Sequence, residues 1–343
     1  MTQKLKIGAV QINSPLIMAP LAGITNLPFR LIVKEAGCGL VYSEMVSSYA
    51  LVYQSKKTFE MLKSCKAEKP LTIQIFGSDP FIMAKAASIV EASGADIIDI
   101  NFGCSVKKIL KSGSGAALMQ EPLKARAIMS AVKNAVSIPV TIKIRSGWTQ
   151  DGYQAKEIAK IAQDCGISGI AIHPRTVKQA FKGKSDWNII TAVKKTASIP
   201  IIGNGDIVTH NDAINMMKTT KADFIMIGRA AIGNPLIFQA INSALKGEAI
   251  PSFNIDKHFD IMIKYFAESV KYSGETKASL MMRSRLCKFV KGMPYGADFK
   301  EKIKLTASEK DGIKIIEEYR DILKKYNNKK SDKFNIDKTG ALL

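Results

Sequence analysis

The stretch LTIQIFGSDPFIMAKAASIVEASGADIIDINFG, residues 71–103, reads as one strand–helix–strand unit. Two short apolar runs, LTIQIFG (71–77) and DIIDINFG (96–103), flank a segment of helical period. Ser78-Asp79-Pro80 offers a cap and a proline for the first helical turn. Phe81, Ala84, Ala87, Ile89 and Val90 then recur at helical spacing, and Ala92-Ser93-Gly94 places glycine where the helix should stop. The near-continuous hydrophobicity of both runs predicts strands buried on two faces, as in a parallel sheet.

The same unit recurs in both directions. Upstream stand LIMAP (16–20) and GLVYSEM (39–45). Downstream stand PVTIKIR (139–145), GIAIHPR (169–175), PIIGNGD (200–206) and DFIMIGR (223–229). Their starts lie 23 to 43 residues apart, the length of a βα unit. Asp164-Cys165-Gly166 repeats the glycine stop. Eight such units in a row predict an α/β chain, a closed (β/α)8 TIM barrel, with a doubly wound open sheet as the alternative.

After Gly247 the alternation ends. Pro251 is followed by helical period only, with Phe259, Ile263, Phe266 and Val270 on one face, and Ile315, Ile316, Tyr319, Leu323 and Tyr326 on another. The expected organisation is a barrel over 1–250, a small C-terminal all-helical domain over 251–326, and a polar tail over 327–343.

Composition narrows the function classes. Of 343 residues 46% are hydrophobic and 23% charged, which excludes disorder and coiled coil. Fifty Lys and Arg against thirty Asp and Glu leave +20, which favours a polyanionic partner such as nucleic acid. Residues 251–343 carry 20 basic and 13 acidic side chains, so the surplus is spread over both parts. It is locally dense over 283–304, with Arg283, Arg285, Lys288, Lys291, Lys300, Lys302 and Lys304; solvated helix faces are the plainer reading of that run. No apolar run is long enough for a membrane span, and Gln11, Asn13, Ser14 and Pro15 break the first apolar stretch. Five scattered cysteines without a CxxC pair and three histidines without metal spacing speak against disulfide scaffold, zinc knuckle and metalloenzyme. A reducing cytoplasm is the expected compartment.

In a barrel, function is expected where strands end. Gln74 on strand three, Asp99 and Asn101 on strand four, Lys143 and Arg145 on strand five, and His173 and Arg175 on strand six are polar groups in apolar strands. Such groups are costly to bury unless paired or facing a ligand. Strands seven and eight end in Gly203-Asn204-Gly205-Asp206 and Gly228-Arg229, the corner where barrels bind phosphate. Neither is a Walker loop, and Gly113-Ser114-Gly115 is expected to be a flexible loop near the mouth. Cys104, just past strand four, is the candidate reactive atom. An ordinary thiol keeps its proton at neutral pH and so suits a general acid.

Together these motifs resemble the tRNA-dihydrouridine synthase family, most closely its bacterial type-B group. The resemblance rests on APLAGITNLPFR (19–30), SEMVSS (43–48), QIFGSDP (74–80) and DINFGCSVKKILKSGSGAALM (99–119). TIKIRSGW (141–148), IHPRT (172–176), GNGDI (203–207) and IGRAAIGNP (227–235) complete it. It implies an FMN-dependent enzyme that reduces uridine to 5,6-dihydrouridine in tRNA with NADPH as reductant. Pro20, Leu21 and Ala22 would line the flavin, and Gln74, Lys143 and His173 would hold its ring system. Asn204, Gly205, Asp206, Gly228 and Arg229 would hold its phosphate end. Cys104 takes the position of the proton donor and Asn101 that of a uracil contact, with Arg175 and Arg283 as further substrate contacts. Hydride would pass from the flavin to C6 of uracil while Cys104 protonates C5 from the other side.

The chain departs from the family pattern at Ser105, where proline is usual, at Leu21 for methionine, and at Pro174 for glycine. No metal is expected, and the protein is expected to be a monomer. Three other readings remain at this level. One is an FMN barrel of the dihydroorotate dehydrogenase or old-yellow-enzyme kind acting on a small pyrimidine or enone. A second is a non-catalytic RNA-binding relative, and a third a flavin-free lyase using Lys143 as a Schiff base.

Overall fold

The computed structural model describes residues 5–149 and 151–329. Eight parallel strands form the barrel: β1 (Leu16–Met18), β2 (Val41–Ser47), β3 (Leu71–Phe76), β4 (Ile97–Phe102), β5 (Val140–Gly147), β6 (Gly169–Thr176), β7 (Ile201–Asn204) and β8 (Phe224–Ile227). Each falls within one of the eight apolar runs or overshoots it by one or two residues. They pair in the order β1-β8-β7-β6-β5-β4-β3-β2. A bridge between Ile17 and Leu40, with the Met18 amide donating to the Leu40 carbonyl, joins β2 back to β1 and closes the ring.

Helices alternate with the strands. In the deciding unit the Asp79 side chain caps the helix Pro80–Ala92 by accepting from the Ile82 amide, and Gly94 turns the chain out at φ +89°. The buried face is nevertheless Met83, Ala86, Ala87 and Val90. Phe81 faces solvent with Lys85 Nζ 4.3 Å from its ring centroid, so the expected apolar stripe was rotated. Residues two apart on a helix lie roughly 200° around its axis, so with Met83 on the core Phe81 turns outward.

An antiparallel hairpin, Lys6–Ile7 with Val10–Gln11, precedes the barrel. Ile7 and Ile12 are buried against Ile17, Leu40, Tyr42, Ile97, Ala171, Ile202, Phe224 and Met226, so the hairpin plugs the end where the strands begin.

The C-terminal region folds as four helices: α1 (Ile255–Ser273), α2 (Glu275–Phe289), α3 (Gly296–Ile303) and α4 (Glu309–Lys329). The helix therefore runs through Asn327, where a polar tail was expected, to Lys329; residues 330–343 lie outside the described part. Buried Arg285 on α2 joins this region to the barrel. It donates to Asn26 Oδ1 at 3.1 Å, to the Tyr265 hydroxyl and to the Gly23 carbonyl. Among the described residues no helix is long and apolar enough to cross a membrane.

Candidate active site

A cavity of about 880 Å³ opens at the C-terminal ends of the strands and is roofed on one side by α2 and the turn after it. Its volume lies in the upper part of the range of about 300–1,000 Å³ usual for cofactor and ligand sites. Pro20, Leu21, Ala22, Asn101, Cys104, Lys143, His173, Asn204, Gly205, Asp206, Gly228 and Arg229 all line it, so most of the expected residues meet in one place.

The floor is built from strand residues whose side chains hold one another. Lys143 Nζ donates to Asn204 Oδ1 at 3.1 Å, and Asn204 Nδ2 donates to the Met226 carbonyl at 2.8 Å. Burial, reinforced by the nearby Arg145 charge, lowers the Lys143 ammonium to about 8. His173 is held neutral well below its ordinary range by burial and then by Lys143, Arg145, Arg175 and Arg229. A neutral ring also fits the contact from Arg175 Nη1 to its Nε2 at 3.2 Å, in which the arginine must be the donor.

Around Cys104 the backbone is fixed from two sides. Asn101 Oδ1 accepts from the Cys104 amide at 2.9 Å and the Gly103 amide at 3.2 Å. Asn101 Nδ2 donates to Gln74 Oε1 at 2.8 Å, and Gln74 Nε2 to Asp99 Oδ2 at 2.7 Å. Thr141 Oγ1 completes the chain by donating to Asp99 Oδ1 at 2.6 Å. Burial raises the Asp99 carboxyl to about 6. Gly113-Ser114-Gly115 proves packed rather than free. Gly115 is buried at φ +62°, and a Cβ on it would lie 2.8 Å from the Cys104 carbonyl oxygen, a close approach only glycine permits. The Ala116 amide donates to that same carbonyl at 3.0 Å.

Three expected residues are not at the cavity wall. Gln74 is wholly buried behind Asn101, with its amide engaged at both ends. Arg175, 3% exposed at its side chain, spans Asp206 (2.7 and 2.9 Å), Ser185 Oγ (2.9 Å) and the Gly183 carbonyl (2.6 Å). It therefore holds the wall from behind. Arg283 points away from the cavity and donates through Nε and Nη2 to the Thr306 carbonyl at 2.9 and 2.7 Å. The basic run was read as a unit, but its side chains part company. Arg283 and Arg285 turn inward as struts, while Lys288 and Lys291 reach the cavity rim. Arg145, Met45, Phe181, Lys288 and Lys291 line the cavity without having been singled out as ligands. Arg145 carried a signal in the sequence as a long cation inside an apolar strand, and Lys288 and Lys291 as members of the basic run; Met45 and Phe181 carried none.

Charge in the cavity is one-sided. Lys143, Arg145, Arg229, Lys288 and Lys291 stand against a single carboxylate, Asp206, already bound to Arg175. Such a wall attracts an anionic ligand. A thiol, a cationic floor and the glycine-bearing ends of β7 and β8 meet in one barrel mouth.

The family model for dihydrouridine synthase (Dus) matches residues 17–327. The chain belongs to the dihydrouridine synthase family. It is 40% identical over 316 residues to tRNA-dihydrouridine synthase B of Proteus vulgaris, covering 92% of this chain and 98% of that one. It is 38% identical over 318 residues to tRNA-dihydrouridine synthase B of Escherichia coli K12, covering 92% and 98%. A probable tRNA-dihydrouridine synthase of Rickettsia bellii is 36% identical over 324 residues, covering 93% and 99%. Among solved structures, histamine dehydrogenase from a Rhizobium species superimposes with TM-score 0.56 at 15% identity, covering 82% of this chain and 50% of that one. A 2-naphthoyl-CoA reductase does so with TM-score 0.55 at 13% identity, covering 72% and 53%. At that identity the two structures bear on the fold alone. Within the dihydrouridine synthase family, the cavity described above is the candidate active site.

Proposed function

We propose that this dihydrouridine synthase reduces specific uridines of tRNA to 5,6-dihydrouridine in the cytoplasm, as a monomer, with FMN in the barrel mouth and NADPH as electron source. The observation that carries this reading is the cavity in which Cys104, Lys143 and Arg145 meet, in a chain aligned along nearly its whole length with tRNA-dihydrouridine synthases. The barrel, 1–250, is the catalytic unit, and the helical region, 251–326, roofs the cavity and presents Lys288 and Lys291 to the RNA backbone.

The residues present fit a flavin mononucleotide. The volume suffices for a cofactor together with a base. Gly228 leaves open space toward the cavity, since a Cβ there would meet only Ala19, at 3.8 Å. Arg229 supplies a cation beside it for a phosphate. Pro20, Leu21 and Ala22 offer an apolar wall, and Lys143 with Asn204 a polar edge for the ring system. Bound there in its reduced form, the flavin supplies the hydride that saturates one ring bond of uracil.

The chain's own residues then have separable tasks. Cys104 delivers the proton to C5, and its loop is held by Asn101 and by Arg145, whose Nε donates to the Gly103 carbonyl at 2.8 Å. Lys143 and Arg145 offset negative charge that develops on the ring during reduction. His173, being neutral, competes for none of that charge. Arg175 positions Asp206 and His173 rather than touching substrate. Arg283 is assigned to the stability of the helical region.

The test is incubation of the purified protein and its Cys104→Ala variant with unmodified tRNA and NADPH, followed by mass spectrometry of the nucleosides. A uridine two hydrogens heavier, formed by the intact protein alone, supports the proposal. No mass change on tRNA, with turnover of a free pyrimidine or enone instead, would replace it with the small-molecule reading.

A further inference from the structure

Phe181 is 58% exposed on the loop after β6, yet lines the cavity. An exposed phenylalanine alone is ordinary. This one is held from both sides. Arg145 Nη1 donates to the Ala180 carbonyl at 2.8 Å, and Arg175 Nε to the Lys182 carbonyl at 3.3 Å, so two buried arginines grip the residues before and after it. The Lys182 amide donates to the Gln179 carbonyl at 2.7 Å, and Gln179 is itself tied to Thr176 through both its amide and its side chain. Ala180 is driven to φ +50°, a conformation a residue with a Cβ adopts at a cost, and the cost is borne where the ring is presented.

Two guanidinium groups and a neutral imidazole flank the ring. The Arg229 and Arg145 guanidinium carbons lie 4.9 and 5.6 Å from its centroid, and His173 lies 6.3 Å away. On the same loop Lys178, Lys182 and Lys184 are exposed, and among the described residues none of them is in an ion pair. A rigid, open aromatic face beside unpaired cations matches a planar ring attached to phosphates.

Building on the function proposed above, we infer that Phe181 is an RNA-binding residue: a platform on which a nucleobase next to the target uridine stacks, with the loop lysines on the adjoining phosphates. A base that enters the cavity must leave its stack, and its neighbour then needs a substitute partner. Preorganisation of the ring by Arg145 and Arg175 removes the ordering cost that a mobile side chain would incur on binding.

Phe181→Ala, Phe181→Trp and the intact flavin-loaded protein would be compared for tRNA affinity, for KM toward tRNA and toward NADPH, and for tryptophan fluorescence. The expected result is that Phe181→Ala weakens tRNA binding and raises KM for tRNA by about tenfold, within the range of base–aromatic stacking, while KM for NADPH is unmoved. Phe181→Trp should restore affinity, and its added fluorescence should be quenched by tRNA. An intact protein that modifies tRNA, with a Phe181→Ala variant that binds tRNA as well, would overturn the inference and leave the function standing. A rise in KM for NADPH instead would also overturn it, reassigning the ring to the dinucleotide. Failure of the intact protein to modify tRNA would overturn both.

Discussion

The two ends of the barrel are made from the same eight strands and have opposite contents. Where the strands begin, Ile97, Ala171, Ile202 and Phe224 point inward and meet Ile7 and Ile12 of the hairpin, with no charge among them. Where they end, the inward positions carry Lys143, Arg145, His173 and Asn204 around open space. Strand period sends alternate residues to the same face, so a step of a few residues along one strand passes from a packed plug to a polar site. One end therefore carries stability and the other chemistry, and they can be damaged separately.

The largest separate effect is expected at Cys104. Cys104→Ala should lower dihydrouridine formation by at least about 100-fold, the contribution of a positioned proton donor, with the thermal midpoint unmoved. Single-turnover assays beside calorimetry check both halves. At the other end, Phe224→Ala should cost about 3–5 kcal/mol of stability, measured by urea unfolding, while the fraction still folded turns over normally. Should that variant lose turnover without losing stability, the division between the two ends is wrong.

A finer contrast lies inside the basic run. Lys288→Ala and Lys291→Ala should each weaken tRNA binding uniformly and reduce the slope of log affinity against log salt by about one. Arg283→Ala should lower stability through the lost bonds to Thr306 and leave the salt slope unchanged. Affinities measured across a salt series separate the two lysines from the arginine.

A last contrast concerns Lys143. Its ammonium is lowered to about 8 in the fold from an ordinary 10.5, so the folded chain releases a proton that the unfolded chain keeps. Over that window the unfolded state binds more protons, and this residue makes the ligand-free protein more stable as pH rises. The difference between intact protein and Lys143→Met in denaturant midpoint should therefore narrow between about pH 8 and 10.5; a difference flat across that range would contradict a buried, charge-depleted lysine.

Much of this was legible in the sequence. The eight strands were, because burial on both faces leaves apolar runs such as Phe224–Ile227. Lys143, His173 and Asn204 were, because a long polar side chain in such a run must be paired or face a ligand. Phe81 was misplaced because apolar residues stand on more than one side of this helix, so spacing alone does not say which side faces the core. The hairpin at Lys6–Gln11 escaped because strands of two residues have no period. Phe181 escaped for another reason, and Lys288 and Lys291 stood out only as members of a basic run. An exposed aromatic or lysine looks the same in sequence whether it meets solvent or a ligand, and only the arginines behind Phe181 and the roof over the cavity distinguish them. Arg283 was over-read because charge density does not reveal which turn of a helix points inward.

The central claim, that this barrel mouth reduces uridine in tRNA through Cys104, is tested most directly on tRNA from cells lacking the gene. Mass mapping of that tRNA, with the intact gene restored or its Cys104→Ala form restored, is the measurement. The account predicts that particular uridines lose the two added hydrogens on deletion and regain them with the intact gene alone. Full recovery with the alanine form, or no loss on deletion, would contradict it.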